Sequence, residues 1–137
     1  MPALYLLDTD SASYSIKRHP ASLERKLQSI PPEHLAISAV THGELLFGLQ
    51  SLAAEHRLHF LVHAFLRTIR TLDWDVAAAR RYAEVRHRLK VAGQLIGEQD
   101  TMIAAHALSL NATLVTNNVR HFQRVGPELR LENWTRF

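Results

Sequence analysis

Short apolar segments alternate with longer segments of helical periodicity along this chain, and this alternation restricts the fold more than any other feature. Brief runs of apolar or β-prone residues indicate strands that are buried on both faces of a sheet. Five such runs predict strands at Leu4–Leu7, Leu35–Ile37, Thr71–Leu72, Thr113–Thr116 and Leu129–Leu131. We therefore expect an α/β fold with a central parallel sheet of four to five short strands, flanked by helices on both faces.

Capping and breaking residues set the expected helix boundaries. Serine and aspartate precede several periodic segments, whereas proline, glycine and asparagine follow them. Asp8 is the expected cap where the first strand ends. Further helices are predicted from Pro20 to Pro31, from Ala39 (after the Ser38 cap) to about Gln50, from about Ala53 to Ile69, from Asp75 to Gly93, from Gly97 to about Leu110, and through Phe122.

The composition indicates one globular domain, expected over residues 1–137. The apolar fraction of 47% and charged fraction of 21% exclude a disordered chain. The absence of cysteine excludes disulfides, thiolate metal sites and a cysteine nucleophile.

The longest strictly apolar run, Ala3–Leu7, is far shorter than the ~20 residues of a membrane span, and no basic segment precedes it. We expect a soluble cytoplasmic protein without membrane contact. The five glycines form no phosphate-binding motif, so no nucleotide cofactor is expected.

Three acidic side chains occupy positions where a lone charge is costly. Asp8 ends an apolar strand, and the helical periodicity predicts that Glu44 and Asp100 point in the same direction as the apolar faces of their helices. Buried charges are normally paired or bind a metal ion. The predicted neighbours on those faces are Val40, Phe47 and Gly48 for Glu44, and Ile103, Ala104 and Ala107 for Asp100.

These acids are expected to meet at the carboxyl edge of the sheet, where sites form in open α/β folds. Asp8 ends the first strand, Asn118 follows the strand Thr113–Thr116, and Asp100 opens a helix. Converging carboxylates repel one another unless a cation joins them, and an all-oxygen ligand set favours Mg²⁺ or Mn²⁺. Such an ion can activate water and stabilise charge on a phosphoryl group. The pattern therefore predicts metal-dependent hydrolysis of a phosphoester without a covalent intermediate.

Each acid alone also has a structural interpretation. Asp8 can cap the next helix, and Asp100 can interact with the dipole of its own helix. Glu44 lies in the middle of a helix, where no capping role is available. The combination of the three is therefore a stronger indication of a site than any one of them.

Four short motifs, in order along nearly the whole chain, resemble those of PIN-domain ribonucleases of the VapC toxin type. Their spacing is also that of the family. The motifs are Leu6-Leu7-Asp8-Thr9-Asp10, Ile37 to Leu45 around Glu44, Ile96 to Ala107 around Asp100, and Thr113 to Phe122 around Asn118.

The resemblance implies a PIN-like fold and an Mg²⁺-dependent endoribonuclease that cuts structured RNA, typically transfer RNA. It also implies a homodimer that a cognate VapB-type antitoxin holds inactive. The positions matching Asp8, Glu44 and Asp100 form the acidic catalytic and metal-binding set, in which Asp8 and Asp100 are expected to hold the metal most directly, and Asn118 is the fourth expected catalytic residue. Asn118 stands where the family often has aspartate, which weakens any second metal site. Asp10 stands where the family usually has asparagine.

Basic side chains are the candidates for contacts with RNA. On the helix after Asp75, Arg81 and Arg88 are predicted to face solvent, whereas Arg86 falls within the apolar stripe. We therefore expect Arg86 to pair with a site carboxylate or to reach a phosphate. Further candidates for RNA-binding or supporting roles are Thr9, Ser38 and Thr116.

Other functions remain open at the level of sequence. The order Asp8-Thr9-Asp10 also resembles the start of a haloacid-dehalogenase-type phosphatase, although the later motifs of that family are absent. A metal-free ribonuclease with two catalytic histidines is a second alternative, and a non-catalytic binding module is a third. The helical spacing of His56, His59 and His63 permits a zinc site, for which no fourth ligand is evident.

Overall fold

The fold is a five-stranded parallel sheet with helices on both faces, as the alternation of segments predicts. The computed structural model describes residues 3–136. The strand order across the sheet is β3-β2-β1-β4-β5, and all four neighbouring pairs are parallel. The strands are β1 (Tyr5–Leu7), β2 (Leu35–Ser38), β3 (Arg70–Leu72), β4 (Thr113–Val115) and β5 (Leu131–Glu132).

Seven helices connect these strands within the described residues. Two short 3₁₀ turns, Pro32–His34 and Gln123–Val125, complete the connections. The helices are α1 (Thr9–Lys17), α2 (Ala21–Ser29), α3 (Ala39–Leu49), α4 (Arg57–Thr68), α5 (Val76–Val91), α6 (Glu98–Ser109) and α7 (Val119–Phe122).

Two hydrophobic cores lie on opposite faces of the sheet, because successive strand residues point to opposite sides. Leu6 and Leu114 pack with α5 and α6 on one face. Leu7 and Val115 pack with helices α1 to α4 on the other. All four side chains are fully buried. Each central strand therefore stabilises both layers, which explains why its sequence is apolar without interruption.

The strand register determines where the site forms. The chain fills the sheet from β1 outward to β3, then crosses to β4 and β5, so the order reverses between β1 and β4. Leu7 is level with Ile37 of β2 and with Val115 of β4. The next residue of each strand, Asp8, Ser38 and Thr116, therefore reaches the carboxyl edge in one row. Ligand sites of open α/β sheets occupy this position.

The predicted fold class is confirmed, and two predicted boundaries are wrong. The fourth helix begins at Arg57 rather than near Ala53, because residues 53–56 form an exposed turn and the ring of His56 accepts the Leu58 N–H as a cap. The last strand is Leu131–Glu132 rather than Leu129–Leu131. Among residues 3–136, no helix combines the length and apolar character needed to cross a bilayer.

Gly97 sets the start of helix α6, which carries Asp100. Its φ of 95° and ψ of 152° lie in a region that residues with a Cβ rarely adopt. A Cβ at Gly97 would meet no heavy atom within 4 Å, so the backbone conformation, not space, requires glycine here. Gly48, in helix α3, has the same open surroundings without a positive φ.

Replacing each of these two glycines by alanine is expected to change the free energy of unfolding in opposite directions. Gly97→Ala is expected to lower the free energy of unfolding by about 1–2 kcal/mol, because alanine is strained at this φ. Gly48→Ala is expected to raise it by about 0.5–1 kcal/mol, because alanine favours the helix. Urea unfolding followed by circular dichroism measures both. Equal effects of the two substitutions would contradict this assignment of backbone strain.

Candidate active site

Asp8 is the most buried carboxylate of the site and caps helix α1. Its side chain is 4% exposed, and its Oδ1 accepts a hydrogen bond from the Ser11 N–H at 2.8 Å. Its backbone N–H donates to the Val115 carbonyl at 3.0 Å, which continues the pairing of β1 with β4. The carboxylate is therefore held at the junction of two strands and a helix.

Burial raises the pKa of Asp8 to about 6, because desolvation penalises the charged form. Hydrogen bonds from Thr116 and Ser11 lower the pKa and offset part of this effect, while the nearby Asp10 raises it further. At neutral pH the ionised Asp8 is therefore destabilised by its surroundings. A cation in the cleft would stabilise that charge.

Glu44 lies in helix α3 beside helix α1. The Thr9 hydroxyl donates a hydrogen bond of 2.6 Å to its Oε1, which joins the two helices and orients the half-buried carboxylate. The expectation that Phe47 and Gly48 share a buried face with Glu44 is wrong. Phe47 is 78% exposed and Gly48 is also exposed. The residues of α3 that are buried are Thr41, Leu45 and Leu49.

Asp100 lies in the first turn of helix α6 and is half-buried. Burial raises its pKa, whereas the neighbouring His121 lowers it. His121 Nε2 is 3.1 Å from Asp100 Oδ2 and 2.9 Å from the carbonyl oxygen of Ile96. A carbonyl can only accept, so we assign the proton to Nε2, from which the ring donates to both oxygens. His121 thereby orients Asp100.

These carboxylates line one open cleft of about 590 Å³ at the carboxyl edge of the sheet. The part of its wall that the structure describes contains no lysine or arginine. Asp10 raises the pKa of both Asp8 and Asp100, which shows that the negative charges interact across the cleft. The acidic residues of the wall are Asp8, Asp10, Glu44, Glu98 and Asp100, and Asn118 adds a neutral amide.

The donor set fits a hard divalent cation that keeps part of its hydration shell. The polar side-chain donors of the wall are oxygen-rich, as Mg²⁺ and Mn²⁺ prefer. Among residues 3–136, no three Asp, Glu or His side chains stand close enough to enclose an ion by themselves. Mg²⁺ is commonly held by one or two carboxylates with water completing its coordination. The wall residues fit that mode.

A PIN domain model matches residues 5–127 of the chain. The chain belongs to the PIN-domain family. It is 36% identical over 132 residues to ribonuclease VapC2 of Rickettsia felis, covering 96% of this chain and 98% of the relative. It is 37% identical over 131 residues to a tRNA(fMet)-specific endonuclease VapC of Shigella flexneri, again covering 96% and 98%.

The fold agrees with a solved VapBC structure. A chain of the VapBC2 complex of Rickettsia felis, bound to a DNA fragment from its promoter, superimposes with a TM-score of 0.86 at 34% identity. The match covers 96% of this chain and 98% of that one. The resemblance to VapC-type PIN domains is thus confirmed, and the chain is a nuclease of the hydrolase class.

Thr116 and Asn118 connect strand β4 to the cleft of this PIN domain. The Thr116 hydroxyl bonds to Asp8 and also accepts the Asn118 N–H at 2.9 Å. The exposed side chain of Asn118 lines the cleft. Thr116 thus positions Asp8 and Asn118 relative to each other.

Ser38 is in the same row as Asp8 but does not line the cleft. Its fully buried hydroxyl oxygen accepts the Val40 N–H at 3.1 Å. The same hydroxyl lies 2.8 Å from Nδ1 of His106, to which it can donate. The structure therefore gives Ser38 a role in joining elements rather than a place in the cleft wall.

Arg86 is not in an apolar stripe, contrary to the prediction. It is exposed, because the buried residues of α5 are Ala78, Val85 and Leu89. Its Nη1 donates to the Tyr82 hydroxyl at 2.6 Å and lies 3.8 Å from Oε1 of Glu98. Arg86 therefore pairs with a carboxylate of the cleft wall, although not with Asp8, Glu44 or Asp100.

The expectation that both side chains face solvent is confirmed for Arg88, which is 55% exposed, and holds only partly for Arg81, which is 36% exposed. Arg88 bonds to Glu128 and to the Val125 carbonyl, both at 2.6 Å. Arg81 is partly buried and lies 3.7 Å from Glu84. These two arginines stabilise contacts of α5 with its surroundings.

Two residues of the site were not predicted from the sequence: Glu98, which lines the cleft, and His121, which contacts Asp100. Glu98 is the first residue of α6, two positions before Asp100, and its acidic character in a first turn was a readable signal. His121 lies 21 residues beyond Asp100, and nothing in the local pattern links the two. Their contact depends on how α6 and α7 pack.

Because burial raises the pKa of Asp8, removing its charge is expected to stabilise the folded protein by an amount that depends on pH. The folded pKa of about 6 exceeds the ordinary value of 3.8, so the charged form costs about 3 kcal/mol above pH 6, and this cost disappears below about pH 4. Asp8→Asn keeps a good N-cap residue and removes the charge. In chelator, we expect this variant to be more stable than the parent by up to about 3 kcal/mol at pH 7.5 and nearly equal at pH 4.

Urea unfolding at pH 4, 6 and 7.5 measures this difference. Glu55→Gln is the control, because its carboxylate is exposed and lies outside the cleft wall, and it should change stability little. A parent protein that is as stable as Asp8→Asn at pH 7.5 would refute the proposed cost of burying this charge.

Proposed function

We propose that this PIN domain is a VapC-type toxin, a metal-dependent endoribonuclease that hydrolyses phosphodiester bonds in structured RNA. The single observation that supports this most strongly is the cleft of five carboxylates around the desolvated Asp8. A phosphodiester would be repelled from such a wall unless a cation lay between them. Mg²⁺ is the expected ion, with Mn²⁺ as its substitute.

Asp8 and Asp100 are proposed to hold the cation. When bound, the ion would stabilise negative charge on the phosphoryl oxygens and promote ionisation of water. Glu44, oriented by the Thr9 hydroxyl, is proposed to accept a proton from the attacking water. His121 and Thr116 keep the carboxylates of Asp100 and Asp8 in position.

Asn118 and Arg86 are proposed to contact the RNA. The Asn118 amide is exposed on the cleft wall and adds no negative charge. Arg86 can leave its long contact with Glu98 for a phosphate, because exposed ion pairs are weak. Both side chains therefore offer donors to the substrate at the rim of an otherwise acidic cleft.

Transfer RNA is the proposed substrate class. The Shigella flexneri relative is named a tRNA(fMet)-specific endonuclease, and it aligns with 96% of this chain. Initiator transfer RNA is therefore the first substrate to test. We further propose that the protein acts in the cytoplasm.

A VapB-type antitoxin is the proposed inhibitor, and an apolar groove between α1, α3 and α4 supports it. Ile16, Leu49 and Leu58 line this groove of about 190 Å³. Thr9 and Glu44 belong to both the groove and the catalytic cleft. An antitoxin segment lying in the groove would therefore reach the catalytic carboxylate, which gives a direct route to inhibition.

We also propose a homodimer. The basis of this proposal is the resemblance to VapC-type PIN domains, which implies subunit association. Phe60, Val76 and Val91 are 71%, 65% and 75% exposed. They lie on helices at opposite faces of the sheet, so each is a separate candidate for the subunit contact.

Substitutions of the metal-holding carboxylates test the nuclease proposal. Asp8→Asn and Asp100→Asn are each expected to lower cleavage of transfer RNA by at least about 100-fold, because they weaken stabilisation of the transition state. Glu55→Gln, an exposed acid in the turn before α4, should cleave normally. End-mapping of the cleaved RNA measures activity, and circular dichroism verifies folding. Cleavage that persists in chelator would contradict the metal-dependent mechanism and favour one based on histidines.

Gly48 allows a matched test of the antitoxin groove. It lines the groove, and a Cβ there meets no heavy atom within 4 Å. Gly48→Trp should fill the groove, weaken inhibition by the antitoxin at least about 10-fold and preserve cleavage by the free toxin. Gly48→Ala should preserve both. Full inhibition of the Trp variant would exclude this groove as the docking site.

A further inference from the structure

A chain of side-chain hydrogen bonds connects Glu44 to the buried contact between helices α1 and α3. The Thr9 hydroxyl oxygen lies 2.6 Å from Glu44 Oε1 and 3.2 Å from the Thr41 hydroxyl oxygen. Thr9 belongs to α1, whereas Thr41 and Glu44 are neighbours on α3, three residues apart. Thr9 is half-buried and lines the cleft, but Thr41 is fully buried and does not line it.

The chemistry of these groups fixes the direction of each hydrogen bond. A threonine hydroxyl has one proton, and a carboxylate can only accept. The Thr9 proton is therefore used in the bond to Glu44, so the Thr9 oxygen must accept in its contact with Thr41. Thr41 is the donor of that bond, and the chain runs in one direction, from Thr41 through Thr9 to Glu44.

Burial keeps the Thr41 proton on this bond. Thr41 is 0% exposed, and among residues 3–136 Thr9 is the partner that the structure gives its hydroxyl. Buried hydroxyls nearly always form a hydrogen bond, because leaving one unmade is costly. A hydroxyl that accepts one hydrogen bond also donates a stronger one, because consecutive bonds polarise each other. Thr41 therefore strengthens the bond that orients Glu44.

The bond from Thr9 leaves the second carboxylate oxygen of Glu44 available. Oε1 accepts from Thr9, whereas Oε2 has no hydrogen-bond partner in the part of the chain that the structure describes. Glu44 lines the same cleft as Asp8 and Asp100. A carboxylate that is held at one oxygen and unbonded at the other can accept a proton there without losing its orientation.

We propose that Thr41 is a positioning residue for the nuclease reaction: its buried hydroxyl fixes the Thr9 proton and thereby holds Glu44 in the orientation that accepts a proton from the attacking water. The inference rests on the proposed function, because it concerns the proposed role of Glu44. Thr41 lies outside the cleft wall, so it acts through Thr9 on the rate of cleavage and not on the binding of RNA.

Single-turnover cleavage of transfer RNA by the full chain in Mg²⁺ tests the proposal. Thr41→Val keeps the size of the side chain and removes the donor. We expect it to lower the rate at saturating protein about 10-fold, which corresponds to the loss of one hydrogen bond, and to leave the Kd for RNA in chelator unchanged. Thr41→Ser keeps a hydroxyl and should recover most of the rate. Thr113→Val, at a buried threonine at the start of β4 and outside the cleft wall, is the matched control and should cleave normally.

The stability of the variants is not expected to limit this test. Thr9 is half-buried, so water can replace the donor that Thr41→Val removes. Urea unfolding verifies this, and Thr41→Ala provides a second variant without the hydroxyl, which should lose the same rate.

A second substitution separates positioning from a structural role. Glu44→Gln lacks the proton acceptor, so adding Thr41→Val to it should not slow the residual cleavage further. If Thr41 only stabilised the fold, its substitution would slow cleavage equally with and without Glu44. Equal losses in the two backgrounds would therefore overturn the proposal.

Infrared spectra of the metal-free protein give a readout that does not depend on cleavage. The carboxylate bands of Glu44, obtained as the difference between the parent and Glu44→Gln, should shift in Thr41→Val and not in Thr113→Val. Unshifted bands, or full activity of Thr41→Val beside an active parent, would overturn this inference alone. A parent protein that cleaves no RNA would refute the proposed function and this inference with it.

Discussion

The desolvated carboxylate of Asp8 is the interaction on which the rest of the site depends. One side chain ends the central strand, caps helix α1 through the Ser11 N–H and bonds to Thr116 beyond β4. These contacts place the charge accurately but do not fully compensate it, because burial still raises its pKa to about 6. The fold thus holds a carboxylate whose charge is costly without a cation and becomes favourable beside one. A cation bound beside Asp8, as proposed, would recover this cost.

The residues at the carboxyl ends of the strands differ in role: Asp8 lines the cleft, whereas Ser38 connects helices. Asp8 carries charge into the cleft, whereas Ser38 is buried and bonds to His106 of helix α6. Burial lowers the pKa of His106, which favours the neutral ring that can accept from the serine hydroxyl. Because Ser38 caps α3 and His106 belongs to α6, this bond connects the helix that carries Glu44 with the helix that carries Asp100. A buried polar contact therefore helps to set the spacing of these two half-buried carboxylates.

Apolar periodicity and capping residues were sufficient to predict the strands and helices, and with them the positions of Asp8 and Asp100 at the carboxyl edge of the sheet. Both acids lie at element boundaries, where strand order and capping decide their position. The surroundings of Glu44 and Arg86 were mispredicted because α3 and α5 have weak amphipathic patterns, which left the buried face of each helix to be chosen by packing. Phe47 is exposed beside Glu44, and Arg86 is exposed beside Tyr82. The contact of His121 with Asp100 depends on tertiary packing alone.

The distribution of charge explains how an acidic cleft can serve a polyanionic substrate. Five acids line the cleft, and the remaining chain carries eight acids against sixteen lysines and arginines. The long-range field is therefore attractive to RNA, while the field inside the cleft is repulsive until a cation enters. Such a separation would make the proposed catalysis depend on the metal without making the approach of RNA depend on it.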